Sequence, residues 1–160
     1  MTIAIGDTIP HATFNALKDG VQAVDTKDIF AGRKLVLFAV PGAFTPTCSA
    51  KHLPGYVEHF EAFKARGVDV ACIAVNDAFV MDAWAKSQNV PNGLQMLADG
   101  NGNLTKALGL ELDATAFGMG LRSKRFALYA EDGVVKQLHV EAPGEFKVSA
   151  ADYVLEHLPK

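Results

Sequence analysis

Residues Lys34 to Val40 read Lys-Leu-Val-Leu-Phe-Ala-Val, with no polar side chain after the first. Such a run reads as a strand buried in a sheet, since a strand with one wet face would alternate polar and apolar residues. Val68 to Val75 (VDVACIAV) reads as a second buried strand. Two such strands with a helical stretch between them demand a sheet covered by helices, and this limits the fold more than any other feature of the chain.

The connecting segment starts with a turn, Pro41 to Pro46, and continues as a helix from about Pro46, where the N–H that proline lacks would be unpaired anyway. Leu53, Val57, Phe60 and Phe63 recur at helical spacing and face the sheet. Pro54-Gly55 is expected to kink this helix and Gly67 to end it. Asn76 or Asp77 caps a second helix, Ala78 to Ser87, with Phe79, Ala83 and Trp84 toward the core. Leu94 to Leu97 reads as a short strand, Asp99-Gly100-Asn101-Gly102 as a turn and Leu104 to Leu108 as a short helix. Arg125 to Ala130 and Val134 to Val140 are strands joined across Glu131-Asp132-Gly133, a hairpin signal, and Ala150 to Leu158 is a last amphipathic helix. This order predicts an α/β fold of thioredoxin-like arrangement. It has a mixed central sheet, helices on both faces and an added N-terminal hairpin turning at Lys18-Asp19-Gly20.

The 160 residues are read as one domain spanning 1–160. A net charge of −3, with no run of Lys or Arg, argues against nucleic acid or an anionic membrane surface as a partner. No apolar stretch approaches the roughly 20 residues that span a bilayer, and the opening Met1-Thr-Ile-Ala-Ile does not read as a signal peptide. Two cysteines make no disulfide framework and fit a reducing, cytoplasmic setting. The five histidines lack metal-ligand spacing, and Asp99-Gly-Asn-Gly lacks the full calcium-loop pattern, so no metal or cofactor is expected.

The turn after the first buried strand reads Pro41-Gly-Ala-Phe-Thr-Pro-Thr-Cys48. A cysteine in the first turn of a helix meets unpaired backbone N–H groups and the positive end of the helix dipole, and both favour thiolate over thiol. Thr45, three residues earlier, offers a hydroxyl that can accept one hydrogen bond and donate another, as a bound hydroperoxide requires. Pro41 and Pro46 stiffen the turn and remove donors that would hold water over the sulfur, while Gly42 leaves room for close backbone approach. Splitting an O–O bond by thiolate attack also needs a cation for the developing charge. Arg125, at the head of the third major strand, is the best-placed candidate. As an inert alternative, Cys48 could be one more buried thiol.

The strings Val40-Pro-Gly-Ala-Phe-Thr-Pro-Thr-Cys48-Ser49 with His52-Leu-Pro-Gly55, Val75-Asn-Asp-Ala-Phe-Val-Met81 and Arg122-Ser-Lys-Arg-Phe-Ala127 resemble the peroxiredoxins. The likeness is to the subfamily of peroxiredoxin five and the plant type II enzymes, and it runs over nearly the whole chain. It implies reduction of hydrogen peroxide and organic hydroperoxides, with Cys48 as nucleophile, Thr45 and Arg125 as ligands of the peroxide and transition state, and Pro41 as the residue shielding the sulfur. It also implies a homodimer in which active-site faces meet and bury Phe44 and Phe79. Phe117 and Met119 would line a hydroperoxide pocket with Gly42 and Phe44, or pack at that interface. His52 is read either as a hydrogen-bonding neighbour of the site or as a helix-surface or capping residue. Arg122 and Lys124 are read as surface charges and Trp84 as core.

An oxidised Cys48 sulfenic acid must be returned to the thiol by a second thiol. Some members of the subfamily carry a resolving cysteine near the C-terminus, where this chain has Gly144-Glu-Phe-Lys-Val-Ser149. The only other thiol, Cys72, sits mid-strand and is read as core filler with a resolving role as the alternative. Regeneration is expected from an external thiol, glutathione with glutaredoxin, with thioredoxin as a further option. The competing functional reading is a thioredoxin-like redox or binding module without peroxidase turnover. A dithiol mechanism would need a cysteine where Thr45 stands.

Overall fold

The computed structural model describes residues 2–17 and 19–159. The N-terminal hairpin is formed by β1 (Thr13–Leu17) and β2 (Val21–Asp25), paired antiparallel from Thr13↔Asp25 to Leu17↔Val21. Of the turn expected at Lys18-Asp19-Gly20, Lys18 lies outside the described residues, as do Met1 and Lys160; Asp19 and Gly20 have φ of 50° and 98°. Helix α1 (Thr26–Phe30), which the sequence reading did not anticipate, starts at a capping box: Asp25 accepts from Lys27 N–H, and Asp28 accepts from Asp25 N–H.

The first buried run forms β3 (Lys34–Ala39), every residue of which is buried after Lys34. The chain is helical from Pro46, winds as a π-turn over Cys48–His52, and continues as α2 (Leu53–Glu58) and α3 (Phe60–Ala65). The expected kink at Pro54 falls elsewhere. Proline cannot donate to the carbonyl one turn back and crowds it. The wide turn upstream absorbs that misfit, with Leu53 N–H reaching back to the Cys48 carbonyl. A second interruption follows at His59 (φ −94°, ψ 7°), and Gly67, at φ 72°, follows the end of α3.

The second run forms β4 (Asp69–Ala74), and Asp77 caps α4 (Ala78–Ser87) by accepting from Val80 N–H at 2.8 Å. Ala78, Met81 and Trp84 of this helix face inward, while Phe79 and Ala83, expected in the core, are exposed. Then come β5 (Gln95–Ala98), α5 (Asn103–Leu108), a two-stranded ribbon of β6 (Glu111–Asp113) and β7 (Leu121–Ser123), β8 (Phe126–Glu131), β9 (Val134–Val140) and α6 (Ala151–His157). The ribbon has no counterpart in the sequence reading. The β8–β9 turn uses Asp132 and Gly133 at φ 48° and 79°, both left-handed as a tight hairpin needs.

Seven strands align in the order β2-β1-β5-β4-β3-β8-β9, with β3, β4 and β5 parallel and β8 antiparallel to β3. One face packs against α2, α3, α4 and α6 through Leu53, Tyr56, Phe63, Met81, Trp84 and Val154. Phe38 and Tyr56 stack there with ring centroids 3.9 Å apart. The other face is covered by α1, α5 and the N-terminal segment through Ile3, Ile29, Phe30, Leu104 and Leu108. Each such side chain, fully buried, contributes about 1.5–3 kcal/mol. The mixed sheet with helices on both faces is the thioredoxin-like fold the sequence predicts. Its register has a direct consequence: Ala39 pairs with Phe126, so Arg125 arrives level with the turn that follows β3.

Candidate active site

Cys48 is fully buried at the start of the π-turn, and Ser49 N–H donates to the Thr45 carbonyl at 2.9 Å, which keeps the preceding turn attached to the helix. Ser49 also accepts from the Trp84 indole N–H at 2.9 Å, so Trp84 is core and a tether of this segment at once. The turn before it is held by Ala43 N–H donating to Asn76 Oδ1 at 2.9 Å. Phe44 sits in the left-handed region at φ 64°, which is uncommon for a residue with a Cβ, and is 55% exposed.

Arg125 NH2 donates to Cys48 Sγ at 3.2 Å. The same guanidinium reaches His52 Nδ1 through NH1 at 2.8 Å. His52 is fully buried, and its Nε2 lies 3.1 Å from the Ser149 carbonyl, which can only accept. Nε2 therefore carries the proton and Nδ1 presents a lone pair to Arg125. Burial, reinforced by the Arg125 charge, pushes the His52 pKa down to about 3, so the ring is neutral near pH 7. The Tyr56 hydroxyl donates to the same carbonyl at 2.7 Å. Phe146 packs 5.0 Å from the His52 ring and 5.9 Å from the Arg125 guanidinium carbon. Of the two roles open to His52, hydrogen bonding at the site is the one found.

Thr45 is half-buried, and its hydroxyl donates to the Gly42 carbonyl at 2.6 Å. Its proton is thus engaged within the turn, and its lone pairs remain for a ligand. Gly42 is buried for a specific reason. A Cβ there would stand 3.1 Å from Met119 Cε, 3.2 Å from Thr45 Cγ2 and 3.3 Å from Arg122 NH1. Met119 and Arg122 therefore close over the turn. Arg122, expected as a surface charge, is half-buried: its Nε donates to the Met119 carbonyl at 3.0 Å and its NH1 to the Val75 carbonyl at 3.1 Å. Lys124 is exposed as expected. Pro41 is half-buried at the end of β3. Phe117 is 82% exposed.

Cys72 lies at the centre of β4, fully buried and in register with Phe38 and Met96. Burial pushes its thiol well up, and the neighbouring Cys48 sulfur adds to the effect. Both cysteines are free.

The fold and this constellation can be set against known proteins. The sequence model of the Redoxin family matches residues 4–155. The chain is 50% identical to peroxiredoxin-2E-2, chloroplastic, of Oryza sativa subsp. japonica over 164 residues, covering 98% of this chain and 73% of that one. The chain belongs to the peroxiredoxin family. This peroxiredoxin is also 47% identical to peroxiredoxin-2B of Arabidopsis thaliana over 98% of both chains. A crystal structure of reduced Prx3 from Vibrio vulnificus in complex with hydrogen peroxide superimposes with a TM-score of 0.93, at 52% identity over 97% of this chain and 98% of that one. Membership supports a thiol peroxidase. The residues around the site that the sequence reading missed are Ser149, Tyr56 and Phe146. Ser149 and Phe146 lie on an irregular C-terminal segment and carry no motif by themselves.

Proposed function

We propose that this peroxiredoxin reduces hydrogen peroxide and organic hydroperoxides through Cys48 and is regenerated by an external thiol, glutathione with glutaredoxin. The observation that carries the reading is the 3.2 Å contact between Arg125 and the Cys48 sulfur. The Cys48 thiolate attacks the terminal peroxide oxygen in line with the O–O bond. A new S–O bond forms, the O–O bond breaks, and its electron pair leaves on the distal oxygen. That oxygen takes a proton and departs as water or an alcohol, leaving Cys48 as a sulfenic acid. Arg125, fixed and always charged, stabilises the thiolate and the charge developing on the leaving oxygen. The lone pairs of Thr45 accept the hydrogen of the bound peroxide, and Pro41 with Gly42 keeps water from the sulfur.

Two external thiols complete the cycle. The first condenses with the sulfenic acid, releasing water, and the second displaces Cys48 and forms the external disulfide. Cys72 takes no part, a view supported by its burial and raised thiol pKa. A reducing cytoplasmic setting suits both free thiols. The exposure of Phe44, Phe79 and Phe117 suits a homodimer whose active-site faces meet.

A reductant panel tests the cycle. With glutaredoxin and glutathione, Cys72→Ser should turn over hydrogen peroxide at the wild-type rate. Loss of turnover in that variant, with Cys48 oxidation intact, would assign the resolving step to Cys72.

A further inference from the structure

The hydrogen bonds behind Arg125 continue past His52. Glu141, just beyond β9, donates its N–H to the Arg125 carbonyl at 2.9 Å. Its side chain is buried, and Oε2 accepts from Lys147 N–H at 2.7 Å, Ser149 N–H at 2.8 Å and the Ser149 hydroxyl at 2.6 Å. Among the described residues, no Lys or Arg side chain forms an ion pair with it. Burial raises its carboxyl pKa, but the bonds from Ser149 and Lys147 outweigh that and hold it below the usual value, so it remains ionised near pH 7.

A buried carboxylate without a cation is costly unless donors converge on it. Here they do, and two of the three belong to Ser149. The result is a closed strap from Ala142 to Ser149, tightened by Glu145 N–H donating to the Ala142 carbonyl at 2.9 Å, with Phe146 pressed against His52 and Arg125. The Ser149 carbonyl, aimed by this carboxylate, accepts from His52 Nε2 and the Tyr56 hydroxyl. That bond selects the tautomer whose Nδ1 lone pair receives Arg125. One residue thus meets Arg125 at both ends: its backbone N–H holds the Arg125 carbonyl, and its carboxylate, through Ser149 and His52, bears on the Arg125 guanidinium.

We propose that Glu141 is a positioning residue that acts through Ser149 and His52 to hold the Arg125 guanidinium on the Cys48 sulfur. This deepens the peroxidase reading above and rests on it for its catalytic meaning. Glu141 touches neither the sulfur nor the peroxide, and its effect must pass through Arg125.

A double-mutant cycle of Glu141→Gln with Arg125→Ala tests this, read by two rates: oxidation of Cys48 by hydrogen peroxide and its alkylation by iodoacetamide, a neutral electrophile. Thermal unfolding checks that each variant folds. In the wild-type background, Glu141→Gln should slow both rates about tenfold, the scale of one charge-assisted hydrogen bond lost. In the Arg125→Ala background it should change neither. Ser149→Ala keeps both backbone groups and removes one donor, so it should give a smaller loss with the same dependence on Arg125. It also carries the test if Glu141→Gln does not fold. Wild-type rates in the single variants, or an equal fold-loss with and without Arg125, would overturn the proposal. The alkylation arm reads the contact whether or not peroxide is turned over. The expected cycle there, with a wild-type protein inert to peroxide, would sink the peroxidase reading and leave the positioning role standing.

Discussion

Arg125 and Cys48 are 77 positions apart in the chain and 3.2 Å apart at the guanidinium and the sulfur. The antiparallel register of β3 and β8 makes this meeting possible. The neutral ring of His52, behind the guanidinium, holds it there. Arg125→Ala should slow Cys48 oxidation roughly 100-fold, the usual scale for removing one preorganised donor from a developing charge. It should also lower the melting temperature, because the buried Nδ1 of His52 is left without a donor at a cost of about 1–3 kcal/mol. Arg125→Lys should recover only part of the rate, since an ammonium cannot serve sulfur and imidazole as a rigid fork does. Stopped-flow oxidation and thermal melts read the two effects.

Acid should destabilise the protein through His52. Its ring titrates near 6.5 when unfolded and at about 3 when folded. Between those values the unfolded chain binds a proton that the native state refuses, so stability is full above pH 6.5 and falls as pH drops toward 3. Each pH unit in that window removes up to about 1.4 kcal/mol, on the order of 4 kcal/mol in all. Protonation of Glu141, whose folded pKa is lowered, acts in the same direction at the acid end. Urea midpoints across this range should fall steeply for the wild type and less steeply for His52→Gln. Equal slopes would contradict the account.

The buried strands, the Pro41–Cys48 turn and the C-terminal hairpin were legible in the sequence because each is written in local pattern: apolar runs, a Pro/Gly-punctuated turn and an Asp-Gly turn. Arg125 was a candidate from its place at the head of a strand, but only the family resemblance raised it above an ordinary surface ion pair, since the local sequence does not set it apart from Arg122. The two differ in what faces them, Cys48 and His52 for one and the Met119 and Val75 carbonyls for the other, and that is tertiary information. Phe79 and Ala83 were misplaced for a related reason: the helix and its cap were read correctly, but which face turns to the sheet is tertiary information, and Ala78 and Met81 join Trp84 in the core instead. The strap from Ala142 to Ser149 has no periodicity to read, because its order comes from one carboxylate collecting scattered backbone donors.

The exposed aromatic side chains make a separate prediction. Phe117 is 82% exposed and so buries little of its ring within the single chain. Phe117→Asp should therefore leave monomer stability within about 0.5 kcal/mol of wild type. In sedimentation equilibrium the homodimer proposed above should be seen for the wild type and shift toward monomer in this variant. An unchanged dimer would remove this face from the interface.

The central claim is that Cys48 alone takes the peroxide oxygen. The most direct measurement is to mix the reduced protein with one equivalent of hydrogen peroxide in the presence of dimedone and locate the adduct by peptide mass spectrometry, in wild type, Cys48→Ser and Cys72→Ser. The account predicts an adduct at Cys48 in wild type and Cys72→Ser, and none in Cys48→Ser, which should also lose all peroxidase turnover. Full turnover in Cys48→Ser, or an adduct at Cys72 with Cys48 untouched, would contradict it.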